Sequence, residues 1–194
     1  QTRLRMGDIE DEEWNPIVKA AGTLSEGQMW IDDTAGMNTT DMRMRAKREQ
    51  AEHGLDLVIV DYMQLMEVTS EDSRHMENRV QQVSKISRDL KAMARELNVP
   101  VLALAQLSRA VEQRAGKVPQ LAALRESGTI EQDSDVVGFI YQDEEKKSLI
   151  DGSCYIEFMI AKHRNGPTGT ATLRFVPYLT QFLNLEKYDL EVAR

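Results

Sequence analysis

Cysteine is nearly absent from this chain, and the single Cys154 excludes an internal disulfide and a thiolate metal site. Its place in an apolar run reads as a small core residue rather than a nucleophile. Histidine is scarce as well, and His53, His75 and His163 stand at no metal-ligand spacing. Aromatic residues make up 6% of the chain and none lies between Gln106 and Gly128. That stretch therefore lacks the rings on which sequence-tolerant single-strand binders stack their bases. No uncharged apolar run approaches the roughly 18 residues of a membrane span. The opening QTRLRMGDIE has no apolar core of a signal peptide. These absences lead us to expect a soluble, cytoplasmic protein.

What is present is a chain of 194 residues with 41% hydrophobic residues, enough for one domain with its own core. No repeat, low-complexity tract or domain boundary interrupts it. The net charge of −8 argues against indiscriminate nucleic-acid binding, although local charge is what meets phosphate. Between Arg109 and Arg125 the balance reverses: Arg109, Arg114, Lys117 and Arg125 face a single Glu112. This is the best candidate for a basic groove.

The periodicity predicts an α/β fold. A helix over residues 11–21 would put Trp14, Ile17, Val18 and Ala21 on one face. MWI, residues 29–31, reads as a short strand. Thr40 or Asp41 could cap a helix running to His53 and stopping at Gly54. LDLVIVDY, residues 55–62, has the continuous apolar character of a strand buried on both faces of a parallel sheet. Met76, Val80, Val83, Ile86, Leu90, Met93 and Leu97 form one stripe, predicting a long helix over residues 73–97. VPVLALA then supplies a second buried strand, and strand, helix and strand make a right-handed parallel crossover. After a long polar segment the pattern becomes all strand: DVVGFIY, SCYIEFMIAKHR, GTATLRFV and QFLNL. Asn165-Gly166 reads as a hairpin turn, and DEEKK as a solvated loop.

Four places could carry chemistry. Asp61 closes a buried strand, where an acid either faces a metal or phosphate or merely caps a turn. Gln106 ends the next strand, and its amide could sense a phosphate or simply meet solvent. On the strand into Lys162-His163-Arg164, Cys154, Ile156, Phe158 and Ile160 share a face by the two-residue period. Lys162 and Arg164 would continue that face, as a finger toward a neighbouring subunit's phosphate or as ordinary surface cations. Arg125-Glu126-Ser127-Gly128 offers an arginine beside exposed amides, either a phosphate clamp or a helix start.

IDDT, GLDLVIVDYMQLM, VPVLALAQLSR, PQLAALRESGTIEQDSDVV and KHRNGPTG stand in the order found in DnaB-type replicative helicases. The chain resembles that family from about Asp8 to Leu185. The resemblance implies a RecA-like sheet flanked by helices, mostly parallel, ending in antiparallel strands. It also implies ATP or another NTP with Mg²⁺ as cofactors, and a homohexameric ring moving on single-stranded DNA beside primase and a loader. By the same resemblance Asp61 acts on Mg²⁺ through water and Gln106 links phosphate state to the DNA loops. Lys162 and Arg164 then form the trans finger, and Arg125, Glu126 and Gly128 hold the DNA backbone. One departure is large: no GxxxxGK[ST] phosphate loop occurs, and GPTG lacks the lysine and the strand-to-helix context. The whole of residues 1–194 is therefore expected to be part of a motor domain, incomplete at its N-terminal side and without the primase-binding domain. Such a piece should not hydrolyse NTP alone. A smaller departure is Gln181, where many relatives carry a basic residue. The alternatives are a recombinase or circadian-clock-type RecA ATPase, and a non-catalytic protein that binds single-stranded DNA or a helicase ring.

Overall fold

The computed structural model describes residues 2–69, 76, 78–107, 118–121, 124, 129–142 and 152–185. Helix α1 (Thr2–Met6) and helix α2 (Asp11–Ser25) open the chain. α2 forms as its periodicity requires, yet buries no residue, and Trp14 and Val18 stay exposed. The MWI segment is not a strand. Residues 28–34 have no ladder partner among the described residues, and an unpaired segment gains no sheet hydrogen bonds.

Helix α3 (Thr39–Glu52) is capped by Asn38, not by Thr40 or Asp41. Asn38 has the extended backbone a cap needs, and its side-chain oxygen accepts the Asp41 N–H at 2.9 Å. The chain leaves α3 through Gly54 at φ +84°, as the position of that glycine predicts.

Strand β1 (Val58–Val60) and strand β2 (Val101–Ala103) pair in parallel, with Val58 opposite Val101 and Val60 opposite Ala103. Helix α4 (Arg79–Leu97) connects them. It begins six residues later than the apolar stripe suggested, because Asn78 is extended and caps it by accepting the Gln81 N–H at 3.0 Å. Asn98, left-handed at φ 54°, ends it. Val83, Ile86, Leu90, Met93 and Leu97 lie on its buried side and join Val60, Met63, Met66, Val99, Val137 and Phe139 in one core. Each such side chain, fully buried, contributes roughly 1.5–3 kcal/mol.

The parallel pair is not buried on both faces, as its apolar composition had suggested. α4 covers one face, whereas Ile59 is 59% exposed and Leu102 51% exposed on the other. Leu102 lines an open apolar groove there with Leu104, Val136, Ile140 and Phe158.

Helix α5 (Ile130–Asp133) leads into four antiparallel strands in the order β3 (Val136–Tyr141), β4 (Cys154–His163), β5 (Gly169–Val176) and β6 (Gln181–Asn184). A parallel unit followed by antiparallel strands is the architecture expected. The two-residue period does not survive along β4, however. Phe139 faces Met159 and Gly138 faces Ile160, but Val137 faces Lys162, so Ala161 is an extra residue. Cross-strand partners project to the same side of a sheet, and Val137 and Phe139 are core residues. The bulge thus turns Lys162 to the core side with Met159, and away from the face of Ile160. Among the described residues no helix is long and apolar enough to cross a membrane.

One-sided burial of the parallel pair has a measurable consequence. Ile86→Ala, at a side chain with 0% exposure, should lower stability by about 2–5 kcal/mol. Ile59→Thr should change it by no more than about 0.5 kcal/mol. Urea unfolding midpoints check both, and comparable losses at the two positions would mean that both faces are packed.

Candidate nucleotide and DNA site

The ladder of the parallel pair runs on past its strand ends. The Leu104 N–H donates to the Val60 carbonyl at 2.9 Å, and the Met63 N–H to the Leu104 carbonyl at 2.9 Å. Asp61 and Gln106 therefore leave neighbouring strands at the same carboxyl edge, where open α/β sheets bind ligands. Both are exposed. The Asp61–Tyr62 peptide bond is cis.

A residue that the sequence did not single out fixes this edge. Gln64, in the 3₁₀ turn Met63–Leu65, donates its amide N–H to the Gln106 carbonyl at 2.9 Å and accepts the Gln106 N–H at 3.2 Å. One side-chain amide thus satisfies both backbone groups of Gln106. Arg79, the first residue of α4, donates to the Gln64 carbonyl at 2.6 Å. The signal in the sequence was a lone polar residue inside the apolar run YMQLM.

Among the described residues nothing hydrogen-bonds or ion-pairs with the Asp61 carboxylate, and no cluster of His, Cys, Asp or Glu could hold a metal by itself. A single free carboxylate suits Mg²⁺, which keeps several waters and is commonly bound by one or two carboxylates together with substrate phosphates. It does not suit a closed protein cage.

Lys162 and Arg164 form a second, separate cluster. The Lys162 ammonium donates to the carbonyls of Glu131 and Ser134, at 2.5 and 2.7 Å, at the end of α5. The Arg164 N–H donates to the Asp135 carbonyl at 2.8 Å, and its guanidinium meets the Asp135 carboxylate at 3.2 Å. Lys91 of α4 bonds the same carboxylate from the other side. Of the two cations Arg164 is the one presented to solvent, 63% exposed. The turn that carries it closes tightly: a Cβ on Gly166 would stand 2.8 Å from the His163 ring, so a side chain there would have to displace that ring. Arg125, Glu126 and Gly128 lie outside the described residues.

A further acidic turn belongs to the IDDT motif. The Asp32 carboxyl is drawn down to about 2 by hydrogen bonds from Thr34 and Arg45. Arg45 also reaches the Thr34 hydroxyl at 2.9 Å, which ties the turn to α3.

The Asp135 carboxyl is held below the ordinary carboxylate range by its bond from Lys91 first and then by Arg164. A lowered pKa in the folded state means stability that is present above the unfolded pKa and is lost as pH falls through the folded one. Asp135→Asn should accordingly flatten the acid limb of the stability curve, with little effect on its shape near neutrality. Urea unfolding of the two proteins over a pH series tests this. An acid limb of the same steepness in the variant would show that Lys91 and Arg164 do not stabilise the charge.

Residues 1–184 match the family model described as the DnaB-like helicase C terminal domain. The chain is 46% identical over 184 residues to the "Replicative DNA helicase DnaC" of Bacillus subtilis, covering 95% of this chain and 40% of that protein. It matches the "Replicative DNA helicase DnaB" of Geobacillus stearothermophilus with the same identity and coverage. It thus spans about two-fifths of the length of these relatives. A solved ATPase domain superposes with a TM-score of 0.82 at 38% identity, covering 95% of this chain and 65% of that one. A second solved structure is titled as a DnaB-like replicative helicase and its interactions with primase. It superposes with a TM-score of 0.79 at 40% identity, covering 92% of this chain and 43% of that one. The family model matches nearly the whole chain and the fold is shared with these solved structures: this chain belongs to the DnaB-like helicase C-terminal domain family.

Proposed function

We propose that this chain works as part of the motor of a cytoplasmic replicative DNA helicase, which hydrolyses NTP and moves along single-stranded DNA. The observation that carries this reading is the Asp61 carboxylate, without a partner among the described residues, beside Gln106 at the carboxyl edge of the parallel pair, in a chain of this family. Asp61 would hold Mg²⁺ together with the phosphates of ATP or another NTP, and the ion would supply charge neutralisation on the transferred phosphoryl group. Asp61 would act on that ion through its water shell. Gln106, its backbone held by Gln64, offers its side-chain amide to the γ-phosphate, so phosphate loss is felt where the chain enters the segment toward Gly128.

Arg164, exposed on a turn closed by glycine, reaches a neighbouring subunit's phosphate as a trans finger. Lys162 is the second member of that pair. This role needs a ring, and a homohexamer places a finger at every interface. Arg125, Glu126 and Gly128 meet the DNA backbone. Without an aromatic residue between Gln106 and Gly128, phosphate contacts supply the affinity. Glu126, which phosphate repels, holds Arg125 or a neighbour's loop. Primase and a loader are the protein partners of such a ring.

Hydrolysis is tested in a chimera in which this chain replaces the matching segment of the Bacillus subtilis relative. Asp61→Ala should bring Mg²⁺-dependent hydrolysis to background without unfolding the protein, and an unchanged kcat would remove Asp61 from the site. In mixed rings Arg164→Ala should silence the neighbour's site by roughly three to five orders of magnitude. Activity that depends only on each subunit's own Arg164 would place the residue in cis.

Binding of the same ring to single-stranded DNA should weaken with Arg125→Ala equally on unrelated sequences, and the salt slope should fall by about one. The measurement is a salt titration on two sequences. A loss confined to one of them would mean base reading, and an unchanged slope would mean that Arg125 never meets phosphate.

A further inference from the structure

Helix α5 has only four residues, too few to hold itself together. Its neighbours hold it in place. The hydroxyl of Thr129, just before the helix, donates at 2.7 Å to the carboxylate of Asp133, its last residue, which also accepts the Ser87 hydroxyl at 2.8 Å. Ser87 is buried on α4, so these bonds dock α5 on the core helix. The Lys162 ammonium donates to the carbonyls of Glu131, within the helix, and of Ser134, just beyond its last residue. A cation on the last carbonyls of a helix is favourable both as a hydrogen-bond donor and as a charge. Directly beyond, Asp135 takes the Arg164 N–H on its carbonyl and Lys91 and Arg164 on its carboxylate. From Thr129 to Arg164 the contacts are continuous, and none of them needs a bound ligand.

We infer that α5 is a rigid link between Thr129 and the Arg164 turn, with Lys162 as the clasp that makes it rigid. Lys162 is then a positioning residue in its own subunit, in addition to any contact it makes across a ring. The bulge at Ala161 is what allows this: it turns Lys162 to the side of Val137 and so toward α5. The purpose of the link rests on the function proposed above. Thr129 follows directly on the segment assigned to DNA, and Arg164 is the assigned finger, so a pull on Thr129 shifts the carbonyls that Lys162 holds and, with them, the finger's base.

The test is amide hydrogen exchange, followed by NMR on the 194-residue chain with neither nucleotide nor DNA added. Its outcome is therefore independent of the helicase reading, which the chimera tests separately. Thr129→Val removes the hydroxyl at one end of α5, and Lys162→Met removes the charge at the other while keeping the aliphatic stem. Each should speed exchange by about tenfold at the Ser134 N–H, bonded to Ile130, and at the Arg164 N–H, bonded to Asp135. The α4 amides around Ile86 should keep their protection. Lys162→Arg, which retains the cation, should restore most of the protection at Ser134. If Thr129→Val disturbs the α4 amides as well, the milder Ser87→Ala serves in its place with the same expectation at Arg164. An Arg164 amide that ignores changes at Thr129 and Ser87 would overturn the link. A Ser134 amide unchanged in Lys162→Met would overturn the clasp.

Discussion

The structure depends on one packing contact, the apolar side of α4 against the covered face of the β1–β2 pair. Three residues in each strand supply too few ladder bonds to hold two strands together in water. Burial of Val83, Ile86, Leu90, Met93 and Leu97 against Val60, Met63, Val99 and their neighbours supplies what the ladder cannot. Because α4 begins with Arg79 on the Gln64 carbonyl and ends at Asn98 two residues before Pro100, it sets the strands' register at both ends. The juxtaposition of Asp61 and Gln106 follows from that register.

The same helix carries the second cluster. Ser87 and Lys91 stand one turn apart on α4 and reach Asp133 and Asp135. The core helix therefore serves as a common floor for the Asp61–Gln106 edge, through Arg79 and Gln64, and for the Arg164 turn, through Asp133 and Asp135. Charge does here what apolar packing does at the centre. The Asp135 carboxylate, shared between Lys91 and Arg164, joins an element of the core to a turn exposed to solvent. Half-exposed pairs are individually weak, so their contribution is in fixing geometry more than in holding the fold.

The sequence by itself determined the order and type of nearly every element, since periodicities of 3.6 and 2 report which positions meet apolar surroundings. The α4 stripe, the strand ending at Asp61 and the four late strands were legible in this way, and the family motifs made the candidate residues legible too. Three things were not. The apolar run of MWI could not reveal that no strand among the described residues lies beside it, because pairing is a property of the partner. The Gln64 clamp could not be read because its meaning depends on a residue 42 positions away. The bulge at Ala161 was hidden for a related reason: alternation in one strand is blind to the register of its neighbour. Lys162 shares a face with Ile160 by counting alone, yet pairing with Val137 turns it to α5. Local pattern decides what a segment can become. Which groups meet was decided only when the core of α4 brought distant segments into register.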